Sequence, residues 1–223
     1  MDGAIKTCVI VDGGLQSLVN CFMARERVLA VGGDIASIQP LAFLPQMEGA
    51  LGAIKTTAAE KQAELFGLKL VRSEAQVNSD SGDSGLVVTA AYYAARQECD
   101  LLDWPVQRAG IDSVDVDAAS LEADRCLLIT RLVSMDTLRP QFKVDCPLVD
   151  LTDRQLCDLA VDMDLPVSSC WWWKDQFVSR ILERKETEVP AVISNDPVAT
   201  GMCRECLRWV PTLQEVRFLA ETL

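Results

Sequence analysis

One segment near the N-terminus, Lys6-Thr7-Cys8-Val9-Ile10-Val11-Asp12-Gly13-Gly14-Leu15-Gln16-Ser17, constrains the fold more than any other stretch of the chain. An apolar run suited to a buried strand ends in two adjacent glycines, and residues with helical spacing follow at once. Glycines at such a turn let the backbone bend sharply and leave its N–H groups uncovered. The N-terminus of the next helix adds unpaired N–H groups and the positive end of its dipole. A strand, a glycine turn and a helix in this order therefore make the frame of a phosphate site. The bland reading of the same residues is a tight strand-to-helix connection with no ligand.

The rest of the chain repeats the alternation. Strands are expected at Ile5–Val11, Ile38–Leu44, Leu68–Val71, Leu101–Trp104 and Phe142–Cys146. Helices are expected at Leu15–Arg25, Thr56–Phe66, Leu86–Arg96 and Ala118–Met135, and from Thr152, as N-cap, to about Met163. A polar loop is expected over Gln76–Gly85, and a closing helix after Pro211. Alternation of this kind implies an α/β fold with a doubly wound parallel sheet, its ligand crevice at the carboxyl ends of the strands beside the first turn. From Pro166 onward the composition changes to Cys, consecutive Trp and charge. The expected division is an α/β domain carrying the glycine turn over 1–165 and a Cys- and Trp-containing appendage with its closing helix over 166–223.

The glycine turn resembles the pyrophosphate loop of the PP-loop ATPases, which usually reads Ser-Gly-Gly-x-Asp-Ser. Asp12 stands where the first Ser is expected and Gln16 where the Asp is expected, while Gly13, Gly14, Leu15 and Ser17 keep the pattern. The resemblance implies ATP with Mg²⁺ as cofactor, bound by the N–H groups of Gly13, Gly14 and Leu15 and by Ser17. Asp12 would instead set a carboxylate among donors meant for a phosphate, and like charges within about 4–6 Å repel. Gln16 removes a charge that could help hold Mg²⁺, a cation that prefers carboxylate and water oxygens.

Three further stretches occur in a telling order: Asp145-Cys146-Pro147-Leu148-Val149-Asp150-Leu151-Thr152, then Ser168-Ser169-Cys170, then Thr200-Gly201-Met202-Cys203-Arg204-Glu205-Cys206-Leu207-Arg208. With the glycine turn they resemble, over roughly the whole length, the 7-cyano-7-deazaguanine synthases of queuosine-precursor biosynthesis. In that family four Cys hold a structural zinc beside the substrate pocket. The resemblance carries this role to Cys170, Cys203 and Cys206, while Thr200 falls at the fourth position. The family's Pro-x-Arg-Asn stretch corresponds to Ser79–Gly85, which contains neither Arg nor Pro.

Departures at three separate functional places point to a relative that kept the scaffold and lost or altered the chemistry, with a nucleotide or purine-like small molecule as its ligand. The alternative within the same family is a working ATP-dependent ligase that forms an adenylate and releases pyrophosphate, with Asp12 and Ser17 in its active centre and Asp12 taking the metal in place of Gln16. A third expectation, from another class, is a non-catalytic assembly subunit, a homo-oligomer or part of a protein complex, that uses Trp171-Trp172-Trp173 as its interface.

Composition narrows these choices. Lys and Arg number 21 against 33 Asp and Glu, a net charge of −12 that argues against a nucleic-acid partner. The chain has no His, which excludes imidazole bases and His-ligated metals. Nine Cys scattered through expected strands and helices fit a reducing, cytoplasmic compartment better than a disulfide framework. No apolar run approaches the ~18 residues of a membrane span, so no membrane partner is expected.

Overall fold

The computed structural model describes residues 5–35, 37–73, 82–173 and 204–222. Five short strands form one sheet: β1 (Thr7–Ile10), β2 (Leu41–Leu44), β3 (Lys69–Arg72), β4 (Leu101–Asp103) and β5 (Lys143–Asp145). All pair in parallel, in the order β3-β2-β1-β4-β5. The inner strands β1 and β2 are buried along their whole length, as the unbroken apolar runs Cys8-Val9-Ile10 and Leu41-Ala42-Phe43-Leu44 require when both faces are covered.

Among the described residues the helices are α1 (Leu15–Ala30), α2 (Gly49–Leu65), α3 (Gly82–Arg96), α4 (Val116–Thr137), α5 (Asp153–Asp162) and α6 (Arg204–Thr222), with a 3₁₀ turn at Val167–Ser169 after α5. They form two cores, one on each face of the sheet. Val9 and Val11 of the first strand's run pack against α1, α2, α5, the tryptophan segment and α6. Cys8 and Ile10, with the opposite side-chain direction, pack against α3 and α4. The fold is therefore the expected doubly wound α/β arrangement. The chain builds outward from β1 through β2 to β3, then crosses to β4 on the other side of β1. The crevice of such a sheet lies where the winding reverses, between the carboxyl ends of β1 and β4.

Thr152 caps α5 as expected, with a reciprocal capping box to Gln155. Several boundaries differ from expectation. Helix α2 begins at Gly49 rather than Thr56, because Leu51 and Ile54 pack on the core and carry the helix through Gly52. The expected loop over Gln76–Gly85 ends early, since Gly82–Gly85 is already helical, and residues 76–81 lie outside the described residues. The closing helix does not wait for Pro211 but runs through it from Arg204. The apolar stripe Cys206, Trp209, Val210, Leu213 and Val216 is buried in the core on both sides of that proline, and this packing outweighs the missing N–H. The stripe lies in the same core as Val9 and α1. Among the described residues no helix is long and apolar enough to cross a membrane.

Candidate functional site

A cleft of about 310 Å³ opens at the carboxyl ends of β1, β2 and β4. Its floor is the β1–α1 turn. Gly13 holds a positive φ of 77°, and a Cβ there would stand 2.7 Å from the Lys55 carbonyl oxygen and from the Ala58 Cβ, so only glycine lets α2 come this close. The Gly13 carbonyl accepts the Trp171 N–H at 2.9 Å, which ties the tryptophan segment to the turn.

Within the turn, the Gly14 N–H donates to the Asp12 carboxylate at 2.9 Å. The donor that a phosphate would use is already taken by the chain's own anion. Asp12 Oδ2 faces Lys55 Nζ at 4.0 Å, and that ammonium lies 5.1 Å from the ring centre of Trp171. Gln16 donates across the cleft to Gln107 Oε1 at 3.0 Å. Leu15 is buried in the core. Ser17 is fully buried, and its hydroxyl is engaged by Gln62 Oε1 at 2.8 Å and the Gly14 carbonyl at 3.1 Å. Asp12, Gly14 and Gln16 thus line the cleft, while Leu15 and Ser17 sit beneath it.

The wall opposite the turn comes from the segment after β4. Gln107 donates to the Leu151 carbonyl at 2.8 Å and to Asp153 Oδ1 at 3.0 Å. Asp153, buried at the start of α5, accepts Arg208 through both guanidinium nitrogens, Nε at 2.8 Å and Nη2 at 2.5 Å. Such a two-pronged pair fixes position as well as charge. Arg108 is held by the buried Glu122 of α4, whose Oε1 accepts both its Nε at 2.8 Å and its Nη2 at 2.6 Å. Neither ion pair was assigned from the sequence. For Arg108 the signal was positional: it lies in the segment after the central strand β4, where α/β sheets place ligand-contacting groups.

Four tryptophans line the cleft: Trp104, Trp171, Trp172 and Trp209. The Arg208 guanidinium stacks 4.3 Å from the Trp209 ring centre, and Trp209 Nε1 donates to Glu205 at 2.7 Å. Trp172 is buried, and its indole N–H has no hydrogen-bond partner among the described residues. Three consecutive Trp do not all face one way: Trp171 and Trp172 border the cleft, and Trp173 packs against the core and the Trp172 ring.

Of the three Cys assigned to zinc, Cys203 lies outside the described residues. Cys170 and Cys206 share one core. The Cys170 sulfur lies 3.8 Å from Gln62 Nε2, and burial, with Asp12 and Cys157 adding to it, pushes its thiol well above the usual range. The Cys206 thiol donates to the Trp172 carbonyl. Among the described residues no three Cys, Asp or Glu converge as a metal site.

No protein-family model matches the chain, and no curated protein matches it. Among solved structures it is similar to the U34-tRNA thiolase NcsA from Methanococcus maripaludis with its [4Fe-4S] cluster, at 14% identity and a TM-score of 0.48, covering 100% of this chain and 74% of that one. It is also similar to NMN synthetase from Francisella tularensis, at 13% identity and a TM-score of 0.37, covering 98% of this chain and 78% of that one. At these values neither likeness bears on the chemistry of the cleft, which rests on its own residues.

Proposed function

We propose that this chain is a ligand-binding relative of the 7-cyano-7-deazaguanine synthases that takes a planar, purine-sized molecule in the tryptophan-lined cleft and does not cleave ATP. The observation that carries this reading is the Asp12 carboxylate on the Gly14 N–H. A triphosphate entering the turn would have to displace that carboxylate and then lie beside it. The remaining loop donors do not suit ATP with Mg²⁺ either. Gln16 is neutral and engaged by Gln107, and the Ser17 hydroxyl is turned into the core. No catalytic step through a bound nucleotide follows from such a set.

The cleft suits a flat, largely uncharged ligand better. At about 310 Å³ it stands at the small end of ligand pockets, which run from ~300 to ~1,000 Å³. Indole rings pack well against heteroaromatic rings, and four of them border the cleft. Titration of the protein with guanine-type bases and with ATP·Mg²⁺, followed by tryptophan fluorescence, tests the reading. Saturable quenching by the bases, with ATP no better, supports it. Tighter binding of ATP would overturn it.

A working ATP-dependent enzyme remains the second reading, favoured by the three cations on the cleft, Lys55, Arg108 and Arg208. Two of them are already held by buried carboxylates, Glu122 and Asp153, and Lys55 faces Asp12, so a phosphate would have to compete for each. For zinc, the donors would be Cys170, Cys206 and Cys203, with a fourth ligand from water or a nearby carboxylate.

A further inference from the structure

Helix α4 is apolar on two opposite sides. Its inner side, Ala119, Glu122, Cys126, Ile129 and Val133, is buried against the sheet and α3. A helix covering a sheet is expected to turn a polar face outward. Here the outer face repeats with a spacing of three and four: Leu121, Asp124, Leu128, Arg131 and Met135. Leu128 is 66% exposed and Met135 67%, and Leu127 and Leu132 flank them in the open. So long an exposed apolar stripe marks an interaction surface.

We propose that this face is where two copies of the chain associate, with α4 pairing antiparallel to its counterpart about a two-fold axis that crosses the helix at Leu127 and Leu128. The charge pattern selects both the occupant and the direction. In the antiparallel arrangement, position n lies over position 255 or 256 minus n of the partner. Leu128 then lies on its counterpart and Leu127 beside the partner's Leu128, Leu121 meets the partner's Met135, and Asp124 meets the partner's Arg131. The same contact recurs on the other side of the axis, as an isologous interface requires. A parallel pair would set Asp124 on the partner's Asp124 and Arg131 on the partner's Arg131, two like-charge contacts in place of two ion pairs. The spacing of about 3.5 residues also suits helix pairing at a shallow angle.

Sedimentation equilibrium over a concentration series, with thermal unfolding of each variant, tests the proposal. The wild-type chain should be a dimer. Leu128→Asp, at an exposed position on the axis, should be monomeric while still unfolding in one cooperative transition, its melting temperature lowered only by the loss of association. Asp124→Arg alone should weaken association about tenfold by turning two ion pairs into two repulsions. Asp124→Arg combined with Arg131→Asp should restore it, because the complementary pattern returns with the signs exchanged. A wild-type chain that stays monomeric at high concentration would overturn the proposal and leave the stripe to a different partner. Dimers that survive Leu128→Asp, or a double exchange no better than the single one, would overturn it equally.

Discussion

The Asp12 carboxylate accepts the Gly14 backbone N–H at 2.9 Å, so the glycine turn carries its own anion where a phosphate would bind. Relieving that contact should change what the turn accepts. Asp12→Ser combined with Gln16→Asp removes one poorly screened repulsion and adds a metal ligand. Nucleotide affinity should improve by about 1–2 kcal/mol, read by calorimetry. An unchanged affinity would mean that the cleft, and not the carboxylate, excludes the triphosphate.

The closeness of α2 to the turn makes a second expectation. Gly13→Ala would add strain at a positive φ and a Cβ 2.7 Å from the Lys55 carbonyl oxygen. Together these should lower stability by about 2–4 kcal/mol in urea denaturation, with the slope unchanged. A loss below half a kilocalorie would show that α2 moves away freely.

Asp103, at the end of β4, is fully buried against Arg27, and its second oxygen has no hydrogen-bond partner among the described residues. Burial, with Asp145 adding to it and Arg27 opposing, pushes its carboxyl up to about 6. An unfolded Asp titrates near 3.9, so the folded state holds this proton more tightly. The stability from this group is fully present below about pH 4 and is lost as pH rises through about 6, a change of roughly 3 kcal/mol. Melting temperatures of Asp103→Asn and wild type, compared from pH 4.5 to 7.5, should show the variant gaining on wild type as pH rises. Parallel profiles would contradict this.

The sheet and its winding were legible in the sequence because buried parallel strands leave uninterrupted apolar runs, and the glycine turn marked the crevice. What escaped was set by contacts far apart in the chain. Asp12 folding back on the Gly14 N–H is the exception, a contact two residues long that an Asp before two glycines favours, whereas nothing near Ser17 signals Gln62 beneath it. The Arg208–Asp153 pair joins two helices that are 55 residues apart, a relation that no local pattern records. The early start of α2 and the passage of α6 through Pro211 have one cause, apolar side chains whose burial overrides a local helix breaker.

For the metal, protein purified without chelator should contain less than one zinc per chain, because three thiolates and a hard or neutral ligand hold zinc more weakly than four thiolates. Thr200→Cys should raise the content towards one, read by elemental analysis. A variant that stays metal-free would show that Cys170, Cys203 and Cys206 do not converge.

The most direct test of the central claim is a calorimetric titration of the wild-type chain with ATP and Mg²⁺, paired with an assay for released pyrophosphate. With Asp12 on the Gly14 N–H, binding should be absent or no tighter than millimolar, and no pyrophosphate should appear. Micromolar binding with pyrophosphate release would contradict the account and establish the turn as a working nucleotide site.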